Sequence, residues 1–460
     1  MTPADLARAT ADRLAAATSL NAALHWSPTL LDREAERLGA APAGPLSGTT
    51  VAIKDNLVTV DYPTTCASRM LAGYLSPYDA TVVARIRAAG GMIAAKANMD
   101  EFAMGSSTEH SAFGRVLHPL DPERVPGGSS GGSAALVAAG VTTTALGSET
   151  GGSVRQPAAF CGVVGIKPTY GRVSRFGLVA FGSSLDCVST FGRTTADAGS
   201  LLCAISGHDD HDATSHRLPP LALPARRRDL AGLVVGLPRE YFPADLHPGV
   251  RAGCDRAVAA LRELGATFRE VSLPHSRHAV PTYYVINPAE AAANLARFDG
   301  VRYGLRVAGA GGDIRALYRA TRGEGFGAEV RRRILVGTFV LSAGYSDKYY
   351  STAQRVRRLI ADDFATAFGS GVDVLLTPTT PTPAFRAGEK TADPVAMYLA
   401  DVFVCPASLA GIPAMSLPAG RHQGLPVGVQ LMAPAFDDEK MLAVALTLEP
   451  TLDPIGEVSG

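Results

Sequence analysis

The run PGGSSGGSAALVAAG (residues 126–140) and, close behind it, GSETGGSVRQPAAFCGVVGIKPTYGRVSR (residues 147–175) are dominated by glycine, serine and other small residues. Glycine has no side chain, so such runs let backbone N–H groups approach a ligand closely. We predict a small-residue helix from Ser133 to Ala139. Upstream, TTVAIK (residues 49–54) is a short β-branched run that ends in a charge, which is typical of a strand that carries Lys54 to a sheet edge.

Predicted helices and strands alternate on both sides of these runs. The helical patterns lie within the first forty residues and over residues 80–89, 249–264, 288–305 and 329–365. The strand-like runs cover residues 92–95, 233–237, 267–271, 372–377, 407–418 and 425–432. This alternation predicts an α/β protein with a large mixed β-sheet covered by helices on both faces.

Composition and charge exclude several classes of protein. Apolar residues make up 47% of the 460 residues and charged residues 19%, which excludes disorder as the main state. The 43 Lys and Arg residues balance the 43 Asp and Glu residues. Dedicated nucleic-acid binders usually carry a basic excess, because they neutralise phosphates. If this chain works with nucleic acid, we expect a partner to make most of the contacts.

The termini and cysteines indicate a cytoplasmic protein. Charged residues interrupt the first forty residues, so no apolar core of a signal peptide is present there, and no run approaches the ~18 apolar residues of a membrane span. The cysteines are dispersed without a C-x-x-C pair, which favours a reducing compartment and predicts no structural metal site. They are Cys66, Cys161, Cys187, Cys203, Cys254 and Cys405.

Three clusters contain the residues best suited to chemistry: VAIKDN (residues 51–56) and the two glycine-rich runs. Serine is a poor nucleophile unless a neighbouring base takes its proton. None of the ten histidines lies in these clusters, so the candidate base is Lys54. Burial penalises the charged form of lysine, and an apolar strand beside a glycine-rich shell supplies that environment.

The same residues have other interpretations. A Gly-Ser run is often only a flexible turn, and a lone lysine at a strand end is usually solvated. The run GGSSGG also matches the G-x-S-x-G pattern of α/β-hydrolases, with Ser129 or Ser130 in the middle, but that pattern needs Asp and then His downstream in a structured setting. The fingerprints of phosphate-binding loops are absent.

Taken together, the three clusters resemble the amidase signature family, and the resemblance extends along the whole chain. More closely, three runs resemble the glutaminase subunits, or A-subunits, of tRNA-dependent amidotransferases. These are NMDEFAMGSSTEHSAFG (residues 98–114), RQPAAFCGVVGIKPTYGRVSRFGLVAFGSSLD (residues 155–186) and PTTPTPAF (residues 378–385).

This resemblance implies a Ser–cis-Ser–Lys triad. Ser153 is then the nucleophile, and Ser129 is the bridging serine that follows a cis peptide bond after Gly128. Lys54 is the base that takes the proton through Ser129. The resemblance also implies an oxyanion hole formed by backbone N–H groups, with Ser130 in a supporting role. The residues of that hole are Thr150, Gly151, Gly152 and Ser153.

The resemblance further implies a glutamine site. Arg333 is expected to pair with the α-carboxylate, Asp401 to hold the α-ammonium, and Tyr284 to add a hydrogen bond. Taken alone, an arginine triplet is usually a solvated helix face and a tyrosine pair is usually core. The choices of Arg333 over Arg332 and of Tyr284 over Tyr283 stay open at this point.

The implied activity is hydrolysis of glutamine to glutamate and ammonia within a heterotrimer. Of the two partners, subunits B and C, the first would use ATP and Mg²⁺ with the ammonia to amidate glutamate on tRNA(Gln), aspartate on tRNA(Asn), or both. The second would wrap the interface. No cofactor is expected in this chain. The alternatives are a stand-alone amide hydrolase with the same triad and a scaffold protein without an active site.

The resemblance also divides the chain, which we interpret as a single domain over residues 1–460. Its parts are a helical N-terminus at about residues 1–40, a catalytic core at about 48–200, and a substrate- and partner-facing part at about 230–450.

Three stretches depart from the family pattern or invite another interpretation. Glu149 stands where the family usually has aspartate, so we expect a slight shift of the rim of the oxyanion hole. Cys187–Thr190 replaces the usual Gln-Ile-Gly-Pro and is expected to alter a local loop. HDDHDATSH (residues 208–216) is interpreted as a solvated loop, since its possible ligands lack the spacing of a metal site.

Overall fold

A computed structural model describes residues 1–39, 44–308 and 313–452, and a single β-sheet runs through it. The strands of the described residues are β1 (Ala23–His25), β2 (Thr50–Lys54), β3 (Met92–Ala97), β4 (Thr144–Glu149), β5 (Val164–Lys167), β6 (Cys187–Gly192), β7 (Val234–Pro238), β8 (Thr267–Val271), β9 (Val374–Pro378), β10 (Ala414–His422) and β11 (Leu425–Met432). Their order across the sheet is β1-β3-β2-β4-β6-β5-β10-β11-β9-β7-β8.

The parallel strand pairs of this mixed sheet form two separate groups. Strand β2 pairs in parallel with β3 and β4, and β7 pairs in parallel with β8 and β9, whereas the pairs between these two groups are antiparallel. The sheet therefore continues from the predicted catalytic core into the predicted substrate- and partner-facing part.

Helices cover both faces of the sheet. In the described residues they are α1 (Pro3–Ala16), α2 (Pro28–Leu38), α3 (Thr81–Ala88), α4 (Gly131–Ala138), α5 (Arg155–Cys161), α6 (Thr195–Ile205), α7 (Pro248–Glu263), α8 (Ala279–Asn294), α9 (Ile314–Gly325), α10 (Ala328–Val340), α11 (Ser346–Gly369), α12 (Pro394–Tyr398), α13 (Cys405–Ala410) and α14 (Asp438–Leu448). None of these helices combines the length and the apolar character needed to cross a membrane.

The side chains of β2 show how the layers form. Successive residues of a strand point to opposite faces of a sheet. Val51 and Ile53 pack in one apolar core with residues of α3 and α6, while Ala52 packs in a second core with residues of α1, α2 and α4. The predicted α/β fold, with a large mixed sheet covered on both faces, is confirmed.

Two predicted elements have different bounds in the structure. The helix predicted over residues 288–305 is α8, which begins at Ala279 and contains Pro288, because buried side chains continue on both sides of the proline. The single strand predicted over residues 407–418 is wrong in its first part, since Cys405–Ala410 is helical. Pro406 in the first turn and Gly411 in the left-handed region (φ +72°) are start and stop signals of a helix.

Two more predictions need correction. The helical pattern over residues 329–365 is divided into α10 and α11, with Gly344 in the left-handed region (φ +82°) between them. Residues 187–190 do not form a loop. They begin β6, where Cys187 lies opposite Glu149 of β4, because this Cys-Val-Ser-Thr sequence has no proline and its β-branched residues suit a strand.

Candidate active site

Lys54 lies at the carboxyl end of β2, where the parallel strand β4 also ends. Ligand sites of α/β sheets commonly lie outside the carboxyl ends of parallel strands. The Lys54 side chain is fully buried, and its Nζ donates hydrogen bonds to Ser129 Oγ (2.7 Å) and to the Ser148 carbonyl (3.1 Å). The amine therefore points into the protein toward a serine hydroxyl.

Burial lowers the pKa of Lys54 to about 7, although the negative charges of Asp100, Asp186 and Glu149 act in the opposite direction. An ordinary lysine has a pKa near 10.5 and is a poor base at neutral pH. A pKa near the working pH gives both a usable population of neutral amine and enough basicity to take a proton. The site thus holds a lysine suited to general-base chemistry.

The loop before α4 holds Ser129 in place. The Gly128–Ser129 peptide bond is cis, and the Ser129 carbonyl accepts a hydrogen bond from the Asp100 N–H (3.1 Å). Helix α4 can lie close to the backbone of Asn98 because Gly132 has no side chain. A Cβ at Gly132 would lie 2.7 Å from the backbone N of Asn98. Small residues at this turn are thus a steric requirement of the site.

Ser130 links this loop to the loop that carries Ser153. The Ser130 N–H donates to the Ser153 carbonyl (3.1 Å), and the Ser130 hydroxyl donates to the Ser148 carbonyl (3.3 Å), which also accepts from Lys54. Ser153 is 8% exposed, whereas Lys54 and Ser129 are 0% exposed. Of these three residues, Ser153 is therefore the most accessible to a substrate.

The loop from Thr150 to Ser153 presents backbone donors. In the part of the chain that the structure describes, the N–H groups of Gly151, Gly152 and Ser153 donate no hydrogen bond to another protein group. The Thr150 hydroxyl donates to Asp186 Oδ1 (2.7 Å), and that carboxylate also accepts from two backbone N–H groups. Burial raises the pKa of Asp186 to about 6. A loop with fixed, unused donors has the features of an oxyanion hole.

Glu149 fixes the far end of this loop. Its carboxylate accepts hydrogen bonds from the backbone N–H groups of Val154 and Arg155 (both N···O 3.1 Å). It also forms an ion pair with the buried Arg155 side chain, whose Nε lies 2.8 Å from Oε1. The longer side chain of glutamate thus reaches past the loop to the first turn of α5. Whether it shifts the rim of the hole relative to an aspartate stays a prediction.

Arg333 lies in an aromatic enclosure. Its guanidinium carbon is 5.2 Å from the ring centre of Tyr284, 5.6 Å from that of Tyr398 and 5.7 Å from that of Phe181, and its Nε donates to Glu329 Oε1 (2.8 Å). Cation–π contacts of this kind fix the plane of a guanidinium. The Arg333 side chain is 4% exposed and that of Arg332 is 46% exposed, so Arg333 is the interior member of the arginine triplet.

Asp401 is buried with one oxygen unused. Its Oδ2 accepts a hydrogen bond from the Ser106 hydroxyl (2.5 Å), while its Oδ1 has no hydrogen-bond partner among the described residues. That Oδ1 faces Gly152, at 3.5 Å from the position a Cβ would occupy there. Burial raises the pKa of Asp401 to about 7. A buried carboxylate with a free oxygen beside the Gly151–Gly152 turn suits a cationic group of a ligand.

The two tyrosines have different surroundings. Tyr284 stacks on Tyr398, with ring centres 3.6 Å apart. The Tyr283 hydroxyl accepts from Asn287 Nδ2 (2.6 Å) and lies 3.1 Å from the position of a Cβ on Gly151. The structure therefore adds Tyr283 as a wall of the site beside the predicted Tyr284.

Sequence reasoning missed three side chains that support this site: Ser106, Gln156 and Asp186. All three lie inside the runs that carry the family resemblance. The runs therefore indicated where the site lies but not what these three side chains do in it. A signal was present for Asp186, which follows the turn GSSL. None was present for Ser106 and Gln156, since their partners are distant in the sequence.

The segment of residues 208–216 is less solvated than predicted. Asp209 is buried and accepts hydrogen bonds from the hydroxyls of Thr81 and Ser174 (both 2.6 Å), which fixes this loop against the core. In residues 1–39, 44–308 and 313–452, no three His, Cys, Asp or Glu side chains are grouped so that they could hold a metal ion. Cys66 and Cys161 are buried free thiols.

Comparisons with known proteins identify relatives of this chain. The model of the family described as Amidase matches residues 5–442. The A-subunit of the glutamyl-tRNA(Gln) amidotransferase of Carboxydothermus hydrogenoformans is 56% identical over 407 residues, which cover 88% of this chain and 84% of that one. The corresponding protein of Moorella thermoacetica, which has the same name, is 55% identical over 421 residues, covering 91% and 86%.

Solved structures of related proteins superpose on almost the whole chain. The crystal structure of the glutamyl-tRNA(Gln) amidotransferase A-subunit from Thermotoga maritima superposes with a TM-score of 0.84 at 42% identity, covering 100% of this chain and 95% of that one. A peptide amidase from Stenotrophomonas maltophilia superposes with a TM-score of 0.82 at 28% identity, covering 99% and 95%. The chain is therefore an enzyme that belongs to the amidase family.

Proposed function

We propose that this chain is the glutaminase subunit, the A-subunit, of a glutamyl-tRNA(Gln) amidotransferase. The observation that carries the proposal is the buried Lys54 amine, which contacts the Ser129 hydroxyl at 2.7 Å beside a loop with unused N–H donors. The relatives at 55–56% identity carry the name of that subunit. The enclosed Arg333 and the free oxygen of Asp401 supply complementary charges for an amino acid.

We infer the mechanism from the roles assigned to these residues. Ser153 Oγ attacks the side-chain amide carbon of glutamine, and its proton passes through Ser129 to neutral Lys54. The negative oxygen that forms on the carbonyl accepts hydrogen bonds from N–H groups of the Thr150–Ser153 loop. The relay returns the proton to the leaving nitrogen, the C–N bond breaks and ammonia departs. Water then hydrolyses the glutamyl ester and restores Ser153.

The amino-acid end of glutamine binds at the other wall. Arg333 pairs with the α-carboxylate through its planar guanidinium, Asp401 holds the α-ammonium through Oδ1, and the Tyr284 hydroxyl adds a hydrogen bond. Ser130 supports the relay through its two hydrogen bonds. No cofactor is part of this mechanism in the present chain.

The assembly is also part of the proposal. The partners are subunits B and C, of which the first receives the ammonia and, with ATP and Mg²⁺, amidates glutamate on tRNA(Gln), aspartate on tRNA(Asn), or both. The second is small and wraps the interface. The zero net charge of this chain fits an arrangement in which the ATP-using partner makes most tRNA contacts. We place the complex in the cytoplasm, where six free cysteines are stable.

The test of this function is partner dependence. The chain is purified alone and together with subunits B and C, and ammonia release from glutamine and amidation of Glu-tRNA are measured. We expect amidation only when all three proteins are present. Rapid hydrolysis of simple amides by the lone chain, without glutamine-dependent amidation in the complex, would contradict the proposal and favour a stand-alone amide hydrolase.

The substitution Asp401→Asn tests the glutamine site. It removes the negative charge that faces the α-ammonium, and a charge-assisted hydrogen bond contributes about 1.5–3 kcal/mol. We expect KM for glutamine to rise about 30-fold in steady-state assays of the complex, with a smaller fall in kcat. Asp438→Asn is the matched control, because Asp438 is a buried carboxylate that binds Thr169 instead. An unchanged KM in Asp401→Asn would exclude the assigned role.

A further inference from the structure

Gln156 occupies the first turn of α5 and is completely buried. Its side-chain Oε1 accepts a hydrogen bond from the Gly128 N–H (2.9 Å), and its Nε2 donates to the Ser106 carbonyl (2.8 Å). Its own backbone N–H donates to the Gly152 carbonyl (2.9 Å). Gln156 thus joins the loop just before its own helix to two segments that are distant in the sequence.

Each of these contacts leads to a part of the site. Gly128 is joined to Ser129, the relay serine, and Gly152 belongs to the loop of unused N–H donors. Ser106 donates its hydroxyl to Asp401 Oδ2 (2.5 Å), which leaves Oδ1 free among the described residues. Gln156 is therefore joined by one hydrogen bond to the neighbour of the relay serine and, through Ser106, to the carboxylate assigned to the α-ammonium.

The chemistry of the side chain suits this position. A primary amide donates and accepts at the same time, which a carboxylate or an apolar side chain of the same length cannot do. Both partners of the Gln156 amide are backbone groups in a buried region, so neither can turn to water if the amide is lost. The fit is tight, because a Cβ on Gly127 would lie 2.5 Å from Oε1 and 2.7 Å from the Pro157 Cα.

We propose that Gln156 is a positioning residue that holds Asp401, through Ser106, at a fixed distance from the Ser129 relay. It thereby sets the preference of the enzyme for amides that carry a free α-ammonium group. The proposal rests on the proposed glutaminase function and assigns a determinant of substrate selectivity within that site. A side chain that only stabilised the fold would not affect this preference.

The experiment compares glutamine with glutaramate, which has the same amide and carboxylate but lacks the amino group. The kcat/KM ratio of the two substrates is measured for the complete complex with wild-type, Gln156→Met and Ser106→Ala chains. We expect each substitution to reduce the preference for glutamine about tenfold or more, since small displacements of a binding group have effects of this size. The double variant should lose little further preference, because the two residues act in series.

The control is Ile205→Ala, which opens a cavity in the distant core of α6 and destabilises the chain without touching the site. It should lower thermal stability and leave the substrate preference unchanged. If Gln156→Met does not fold, Gln156→Glu decides, because it keeps the acceptor for the Gly128 N–H and loses the donor to the Ser106 carbonyl. An unchanged preference in the folded variants would overturn the proposal, whereas a wild-type complex that neither binds nor hydrolyses glutamine would instead overturn the glutaminase function on which it rests.

Discussion

Ser153→Ala is expected to lower kcat for glutamine by about 10⁴-fold or more while glutamine still binds and the fold is retained. The substitution removes the only atom that forms a bond to the substrate in the proposed mechanism. Among the described residues, Ser153 contributes just one backbone hydrogen bond to the loop structure, through its carbonyl, and alanine keeps that bond. The measurement is ammonia release by the complete complex, with glutamine binding followed by calorimetry.

Two further results belong to this prediction. Ser189→Ala is the matched control, because Ser189 is a buried serine on β6 whose hydroxyl donates to the Cys187 carbonyl (3.3 Å), away from the triad, and it should keep nearly full activity. Mass spectrometry of wild-type enzyme quenched during turnover should detect a glutamyl ester on Ser153. If Ser153→Ala kept a tenth of the wild-type rate, another nucleophile would have to be sought.

The local part of the site could be predicted from the sequence, because its residues lie at predictable ends of elements. The β-branched run over residues 49–54 predicted a strand that ends at Lys54, and β2 covers Thr50–Lys54 with the lysine buried. The family resemblance implied the cis bond before Ser129, which the structure contains. Both features depend on neighbouring residues in the chain, so short patterns carry the information.

The long-range part could not be predicted in this way. Gln156 and Ser106 are fifty residues apart in the sequence, and Asp401 is 295 residues from Ser106. No spacing rule joins them, since their contacts form only when distant segments of the chain pack together. Pro288 was misinterpreted for a related reason: its local effect ends helices, but packing on both sides holds α8 together.

Lys54→Met is expected to lower kcat by about 10³-fold or more and, at the same time, to stabilise the fold. The amine takes up a proton in the mechanism, and methionine cannot. Burying a charged amine is costly, so an apolar side chain of similar length should raise the free energy of unfolding by about 1–3 kcal/mol near pH 6. Lys54→Arg should be equally inactive, because a guanidinium does not release its proton in proteins.

The lowered pKa of Lys54 determines how the free energy of unfolding changes with pH. The folded pKa of Lys54 is about 7 and the ordinary value is 10.5, so between these values the unfolded chain holds a proton that the folded chain has lost. Wild-type stability should therefore increase with pH across this window, and the advantage of Lys54→Met should shrink from pH 6 to pH 9. An advantage that did not change with pH would contradict the assigned pKa. Lys167→Met is the control, because Lys167 is also fully buried but donates to the Pro168 carbonyl, and this variant should stay active.

The activity should also depend on the protonation of Lys54. Neutral Lys54 is the active form, and its pKa in the empty site is about 7, so kcat should increase with pH and then level off. The pKa of Asp401 is also about 7 in the empty site, and its ionised form binds the α-ammonium. Because kcat/KM reports the free enzyme, it depends on both Lys54 and Asp401 and should increase with pH more steeply than kcat. Bound glutamine keeps Asp401 ionised, and kcat then reports Lys54 alone. A kcat that fell as the pH was raised from 6 to 8 would show that the charged amine is the working form and would exclude Lys54 as the base.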